Sequence, residues 1–241
     1  MPETHEADAY SGTARYYDAL YAFKDYAAES SRLIELIAEE LGETGGSLLD
    51  VACGTGQHLA HLKTHFAVEG LDLSSDLLEI AGTRNPEVRL HLGDMTDFDL
   101  GRAYTVVTCL FSSIGYVKTL DHLCRAARCL AHHVAAGGLL LVEPWFTPDA
   151  WHPGTVHALL VDEPDLKIAR VNTSFVKGRI SYFDLHHLIG TPEGTRHVVE
   201  HHELGLFEKK EMEDALSAAG LAVRYDCQGL TGRGLYIARK C

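Results

Sequence analysis

The sequence predicts an α/β fold, a mostly parallel sheet with helices on both faces, interrupted by an antiparallel β insertion. Three observations predict it. Between positions 47 and 136, short apolar runs alternate with amphipathic stretches, which is the pattern of βα units feeding a parallel sheet. After Pro144, four β-like runs follow one another with only Pro, Gly or Asp turns between them, which implies antiparallel pairing. Beyond position 207 the helical period returns once and two more β runs follow. The α/β body therefore comprises 1–143 and 207–241, and the insertion 144–206.

Residues 9–23 are short, irregular and rich in aromatics, and 26–41 form an amphipathic helix. A buried strand at 47–52 runs into a glycine turn and a helix at 57–66. The second strand is 68–73, and the next helix starts at Ser74, whose hydroxyl can cap it. Strands at 88–92 and 104–111, a helix at 120–134 and a strand at 139–143 follow, with Gly137-Gly138 as the last turn. The insertion supplies strands at 156–161, 167–176, 179–189 and 197–207. A helix at 209–219, ended by Gly220, precedes strands at 221–225 and 235–238.

Composition narrows the function. With 21 basic and 34 acidic side chains the formal net charge of the 241 residues is −13, which disfavours nucleic acid and anionic membranes as partners. An anionic ligand must instead meet local arginines. The first eight residues are polar and acidic, so no signal or transit peptide is expected, and no apolar run reaches the length of a membrane span. A soluble, cytoplasmic chain is expected, with its six cysteines reduced because none shows C-x-x-C spacing. The 15 histidines are the one unusual count.

The segment Leu48-Leu49-Asp50-Val51-Ala52-Cys53-Gly54-Thr55-Gly56 is the most informative. Its glycines let a ligand approach the backbone at the end of the first strand. A dinucleotide site would place a third glycine where Leu59 stands. Asp50, four residues before Gly54, suits a ligand with cationic groups, and S-adenosylmethionine carries an ammonium and a sulfonium. Asp72, at the end of the second strand, can accept from both ribose hydroxyls. Asp94 can accept from the adenine amino group while Met95 packs on the ring.

Asp50 through Gly56 with Asp72 and Asp94 resembles the fingerprint of the class I S-adenosylmethionine-dependent methyltransferases, with their Rossmann-like sheet. Further stretches resemble a narrower group, the nucleotide-amino-sugar N-methyltransferases that dimethylate amines of antibiotic sugars. They are Lys24-Asp25-Tyr26, Gly93-Asp94-Met95, Phe111 through Tyr116, Val142-Glu143-Pro144-Trp145 and Gly232-Arg233-Gly234-Leu235. The resemblance implies that Tyr10 and Tyr17 close over the cofactor, held by Asp50, Ala52, Gly54, Gly56, Asp72, Asp94, Met95 and Leu110. It implies a dTDP-linked deoxyamino sugar contacted by Tyr10, Tyr26, Ser113, Glu143, Trp145, Phe146, Thr147, Pro148, Arg170, Ser174 and Arg233. Phe146 stands where the family often has a second Trp, and Tyr116 where some relatives carry His. A homodimer is expected from the same resemblance, with the insertion as its surface.

Methyl transfer to a neutral amine is an in-line displacement in which positioning supplies most of the catalysis. Tyr10 and Tyr116 are the residues expected to orient the amine, with Glu143 more distant. Arg233, flanked by glycines, can present a planar fork to a diphosphate. Two alternatives stay open, a methyltransferase of another small amine or hydroxyl compound and a non-catalytic cofactor-binding protein. No metal is expected, because His58, His61 and His65 share a helix face without the Glu of H-E-x-x-H. The pairs His186-His187 and His201-His202 should point to opposite faces of their strands.

Overall fold

The computed structural model describes residues 4–8, 10 and 12–241, the first five by their backbone alone. The first three residues of the N-terminal stretch and Ala9 and Ser11 of the aromatic segment lie outside the described residues. In chain order the elements are β1 (Thr4–Asp8), α1 (Tyr17–Leu20), α2 (Tyr26–Leu41), β2 (Ser47–Val51), α3 (Gln57–Leu62) and β3 (Ala67–Asp72). Then come α4 (Ser75–Arg84), β4 (Arg89–Leu92), β5 (Tyr104–Cys109), α5 (Leu120–His132) and β6 (Val134–Val142). The insertion holds β7 (Val156–Glu163), β8 (Leu166–Lys177), β9 (Ile180–Thr191) and β10 (Gly194–Gly205); α6 (Lys209–Ala218), β11 (Leu221–Asp226) and β12 (Leu235–Lys240) end the chain.

Seven strands form the main sheet in the order β11-β12-β6-β5-β2-β3-β4. Strands β4 to β6 by way of β2 are parallel, and β12 runs antiparallel to both β6 and β11. The chain builds outward from β2 in one direction and from β5 in the other. That reversal opens a crevice at their carboxyl ends, where open α/β sheets bind ligands.

Side-chain alternation along the strands feeds two apolar layers. Leu48 and Val106 face Leu33, Leu36 and Ile37 of α2 and Leu59 and Leu62 of α3. Leu49 and Val107 face Leu123, Ala126 and Leu130 of α5 and Met212 and Leu216 of α6. Each fully buried leucine contributes about 1.5–3 kcal/mol relative to exposure. The helices are fixed at their ends: Asp25 accepts from Ala28 N at 2.9 Å, and Ser74 caps α4 by accepting from Leu77 N at 3.3 Å.

The expected antiparallel layer is present as a second sheet, β1-β10-β9-β8-β7. Its first member was not expected. Thr4–Asp8 carries no apolar alternation, yet its backbone pairs in parallel with β10 from His197 to His201. Two boundaries also differ from the expectations. The helix after the glycine loop stops at Leu62, because the chain turns so that Phe66 can enter the core. Gly137-Gly138 do not make the turn after α5; they lie inside β6, in a bulge between the Tyr104–Val134 and Val106–Leu139 pairings. Gly137 there has φ 76°, and a Cβ on Gly138 would lie 2.6 Å from the Thr105 carbonyl.

The two sheets meet beside the crevice. Gly115, in a 3-10 turn at Ser113–Val117, packs so tightly there that a Cβ would lie 3.0 Å from both Leu204 and Trp145. Thus the insertion is seated against the carboxyl end of β5.

Candidate active site

The glycine loop leaves β2 with Ala52 at φ 60° and Gly54 and Gly56 at φ 55° and 71°. This left-handed run folds into a tight turn in which Gly56 N donates to the Cys53 carbonyl at 3.0 Å. Asp72 braces it: Oδ2 accepts from Gly54 N and Oδ1 from Ser74 N, both at 2.8 Å. Asp50 is 2% exposed, and its Oδ1 accepts from Thr108 Oγ1 at 2.7 Å. Burial pushes both carboxyls up from the ordinary aspartate value.

One cavity is lined by Tyr17, Asp50, Ala52, Gly54 and Leu110, so the structure brings five of the residues expected on the cofactor together; Tyr26 and Ser113, expected on the sugar, line it too, while Gly56 and Asp72 stand just behind it in the loop and its brace. Asp94 and Met95 stand apart from that lining. Asp94 is exposed and accepts from Thr96 N and Oγ1 at 2.8 Å, while Met95 packs against the core. The donor set fits S-adenosylmethionine, since a buried carboxylate lining a cavity calls for a cationic partner.

The aromatic segment covers this cavity. Tyr10 meets Tyr17 edge-on at 5.5 Å, Tyr17 packs on Tyr21 at 4.6 Å, and Tyr21 meets Phe111 at 5.3 Å. Asp18 ties the segment down, accepting from Thr55 Oγ1 at 2.8 Å and Gln57 Nε2 at 3.0 Å and pairing with Arg84. Behind it, Glu29 accepts from Lys24 Nζ at 2.7 Å and contacts His58 Nε2 at 3.0 Å. Burial pushes Glu29 up, but those two partners bring it below the usual carboxylate range. His58 is therefore engaged with an acid rather than grouped with His61 and His65. Among the described residues no cluster of three His, Cys, Asp or Glu is placed to hold a metal.

Of the residues expected on the sugar side, Arg233, Trp145 and Phe146 come together. Arg233 donates to Ser112 Oγ at 3.0 Å, and its guanidinium lies 5.4 Å from the Trp145 ring and 5.3 Å from that of Phe146. Trp145 is locked by donating to Ser181 Oγ at 2.9 Å. Glu143, 1% exposed, spends both oxygens on the scaffold, accepting from Phe111 N at 2.7 Å and Thr231 Oγ1 at 2.9 Å. Arg170 lies over the Tyr21 ring at 5.5 Å, and Ser174 is buried in β8. Thr147 and Pro148 follow Phe146 on the same half-buried connection.

Tyr10 and Tyr116 come together, their hydroxyls 2.8 Å apart. Burial pushes both hydroxyls well above the ordinary tyrosine value. Sequence reasoning missed Asp18, Thr55, Gln57 and Arg84, the aromatics Trp151 and Phe183 beside Trp145, and Glu200 and His202 behind Tyr116. Only the adjacent pair His201-His202 carried a signal: the strand puts His202 inside and His201 outside.

Comparison with known proteins agrees with this geometry. Residues 48–138 match a methyltransferase domain family. The chain is 42% identical, over 96% of its length and 92% of the relative, to dTDP-3-amino-3,6-dideoxy-alpha-D-glucopyranose N,N-dimethyltransferase of Streptomyces fradiae. It is 39% identical, over 93% and 91%, to dTDP-4-amino-2,3,4,6-tetradeoxy-D-glucose N,N-dimethyltransferase of Saccharopolyspora spinosa. The crystal structure of Streptomyces venezuelae DesVI superposes with a TM-score of 0.89 at 41% identity, covering 95% of this chain and 98% of that one. Glycine loop, braced acids and insertion together make this chain a methyltransferase that uses S-adenosylmethionine, and it belongs to the class I family that includes the dTDP-amino-sugar N,N-dimethyltransferases.

Proposed function

We propose that the chain dimethylates the amine of a dTDP-linked deoxyamino sugar in antibiotic or glycan biosynthesis, one methyl group per turnover. The observation that carries this reading is the setting of Arg233. An anchored guanidinium against the adjoining rings of Trp145 and Phe146, beside the cofactor cavity, offers one cation and an apolar wall to a nucleoside diphosphate. The named activities of the curated relatives support the same substrate class.

S-adenosylmethionine, when bound, supplies the electrophilic methyl group. Asp50 would pair with the ligand's ammonium and Asp72 would accept from its ribose, with Asp94 and Met95 at the adenine and the backbone of Ala52, Gly54 and Gly56 lining the approach. Tyr17 and Leu110 close the pocket and exclude water. Tyr10 and Tyr116 hold the substrate amine so that its lone pair points along the transfer axis. Tyr26, Ser113, Trp145, Phe146, Thr147, Pro148, Arg170, Ser174 and Arg233 shape the nucleotide-sugar side, and Glu143 acts there by fixing Phe111 and Thr231.

We further read the chain as a cytoplasmic homodimer. Among the described residues no helix is long and apolar enough to cross a membrane. Val156, Leu160, Phe175 and Leu188 leave an exposed apolar strip on the insertion that suits a second copy.

The test is incubation with S-adenosylmethionine and a panel of dTDP-deoxyaminohexoses, followed by mass spectrometry. Gains of one and then two methyl groups are expected. Equal methylation of the free amino sugars would remove the role given to Arg233, and methylation of none would overturn the reading.

A further inference from the structure

Strand β10 buries an acid and a histidine two residues apart, on the strand face that looks toward the aromatic segment. Glu200 and His202 are 1% and 2% exposed. His202 Nδ1 lies 2.8 Å from the Tyr116 hydroxyl, which itself lies 2.8 Å from the Tyr10 hydroxyl. His202 Nε2 lies 3.7 Å from Glu200 Oε2. The other oxygen of Glu200 accepts from Thr13 Oγ1 at 2.7 Å. Phe183 stacks on the imidazole at 5.4 Å with planes 6° apart, and Tyr10 meets its edge at 5.1 Å, so the ring has a fixed orientation.

This geometry selects one tautomer. A neutral imidazole with Nε2–H turned toward the carboxylate presents a lone pair on Nδ1 to the Tyr116 hydroxyl. No hydrogen bond within 3.5 Å reaches Nε2 among the described residues, so a carboxylate is the nearest group able to respond to a charge on this ring.

The tyrosines are poor places for a proton's absence to end. Burial holds both hydroxyls protonated, so each can pass a proton onward and neither retains negative charge. The other groups around the pair come from every neighbouring element: Tyr10, Thr13, Tyr17 and Tyr21 from the aromatic segment, Tyr116 from the 3-10 turn, Asp72 from β3, His187 from β9, and Arg170 from β8 beyond it. Burial pushes His187 down to about 4, so it stays neutral near pH 7. Burial pushes Glu200 up, but His202 and Thr13 hold it below the usual carboxylate range, which keeps it anionic.

We propose that His202, backed by Glu200, accepts the proton shed by the substrate amine, reached through the hydroxyl of Tyr116. The N–H bond of the bound ammonium breaks and its electron pair stays on nitrogen. The proton joins Tyr116 Oη as the tyrosine's own O–H proton moves to His202 Nδ1. Ammonium becomes amine, tyrosine remains a neutral phenol, and imidazole becomes imidazolium, so charge is conserved. Once the imidazolium has returned that proton to water, the same route takes the proton from the ammonium formed by each methyl transfer. His202 is thus a positioning residue that acts through Tyr116 and does not touch the amine.

The inference rests on the amine-methylation reading above, and the experiment separates the two. His202→Gln keeps a hydrogen-bond acceptor toward Tyr116 but cannot take a proton. Its KM for the nucleotide amino sugar should stay within about threefold, while kcat at neutral pH falls about 10- to 100-fold. The deficit should shrink as pH rises and the substrate arrives as free amine. Tyr116→Phe should reproduce this pH-dependent deficit, and the double variant should add little to either. In the protein without cofactor, 15N NMR of labelled histidine should show His202 protonated on Nε2, with the Nδ1 signal displaced by Tyr116→Phe. A deficit independent of pH, or a raised KM with unchanged kcat, overturns the relay while wild-type turnover keeps the substrate reading intact. A wild-type enzyme that methylates no amino-sugar nucleotide overturns the substrate reading, and with it the source of the proton.

Discussion

Replacing Asp18 by alanine should loosen the aromatic segment over the glycine loop while leaving the central sheet intact. Asp18 accepts from Thr55 Oγ1 at 2.8 Å and from Gln57 Nε2 at 3.0 Å, and it pairs with Arg84, which also donates to the Thr55 carbonyl. The Arg84 and Asp18 side chains are 24% and 33% exposed, so water screens part of the interaction. Each of the three contacts then contributes about 0.5–1 kcal/mol, below the value for a buried charge-assisted bond. Their sum, about 1.5–3 kcal/mol, raises the open fraction about 10- to 150-fold. The ring contacts of Tyr10, Tyr17, Tyr21 and Phe111 persist at about 0.5–1.5 kcal/mol each, so the segment stays docked most of the time. Asp18→Asn keeps the acceptor for Thr55 and Gln57 and loses only the charge, so it should show about a third of the effect. Hydrogen exchange followed by mass spectrometry reads the difference directly, as lost protection across 12–21 with β2 and β5 unchanged. Unchanged protection of that segment, or an equal loss in the sheet, would refute the latch.

Three more outcomes follow from the site. Asp50 is pushed up by burial in the free protein and would be lowered by a cofactor ammonium, so affinity is full above the raised value and falls as pH drops through it. Calorimetry of S-adenosylhomocysteine in buffers of different ionisation heat should detect proton release as pH is lowered toward that raised value; Asp50→Asn should abolish it and weaken binding by about 2–4 kcal/mol. Arg233→Lys keeps the charge but loses the fork held by Ser112 and the rings, so KM for the nucleotide sugar should rise about tenfold with cofactor affinity unchanged in titration. Gly56→Ala should lower stability by about 2–4 kcal/mol in denaturant unfolding, since its φ is 71° and a Cβ would lie 2.7 Å from Asn85 Nδ2.

What the sequence made legible was local chemistry. Asp50, Gly54 and Gly56 lie within seven residues, so one glance relates the acid to the turn it serves. The insertion was legible because four successive β runs without helices have few ways to pair. The strand Thr4–Asp8 was not, because its pairing comes from the backbone of β10 and leaves no mark in its own residues. Gly137-Gly138 read as a turn because a glycine pair signals left-handed backbone in a turn and in a bulge alike. The contact between Tyr116 and His202 spans 86 residues, and that between Tyr10 and Tyr116 spans 106, distances over which periodicity carries no information.

The backbone itself marks where these long-range contacts converge. Five described residues other than glycine have positive φ, and Tyr10, Ala52, Phe111 and Ser112 among them belong to the aromatic segment, the glycine loop and the end of β5. Each such conformation costs on the order of 1 kcal/mol and persists only where neighbours hold it. Glu143 supplies that restraint by accepting from Phe111 N, and Ser112 Oγ donates to the Pro144 carbonyl while receiving Arg233. The same buried carboxylate reaches Thr231, two residues before Arg233. Strain at the end of β5 and placement of Arg233 are therefore one construction. Glu143, expected on the substrate side, thus holds both the backbone at Phe111 and the loop that carries Arg233.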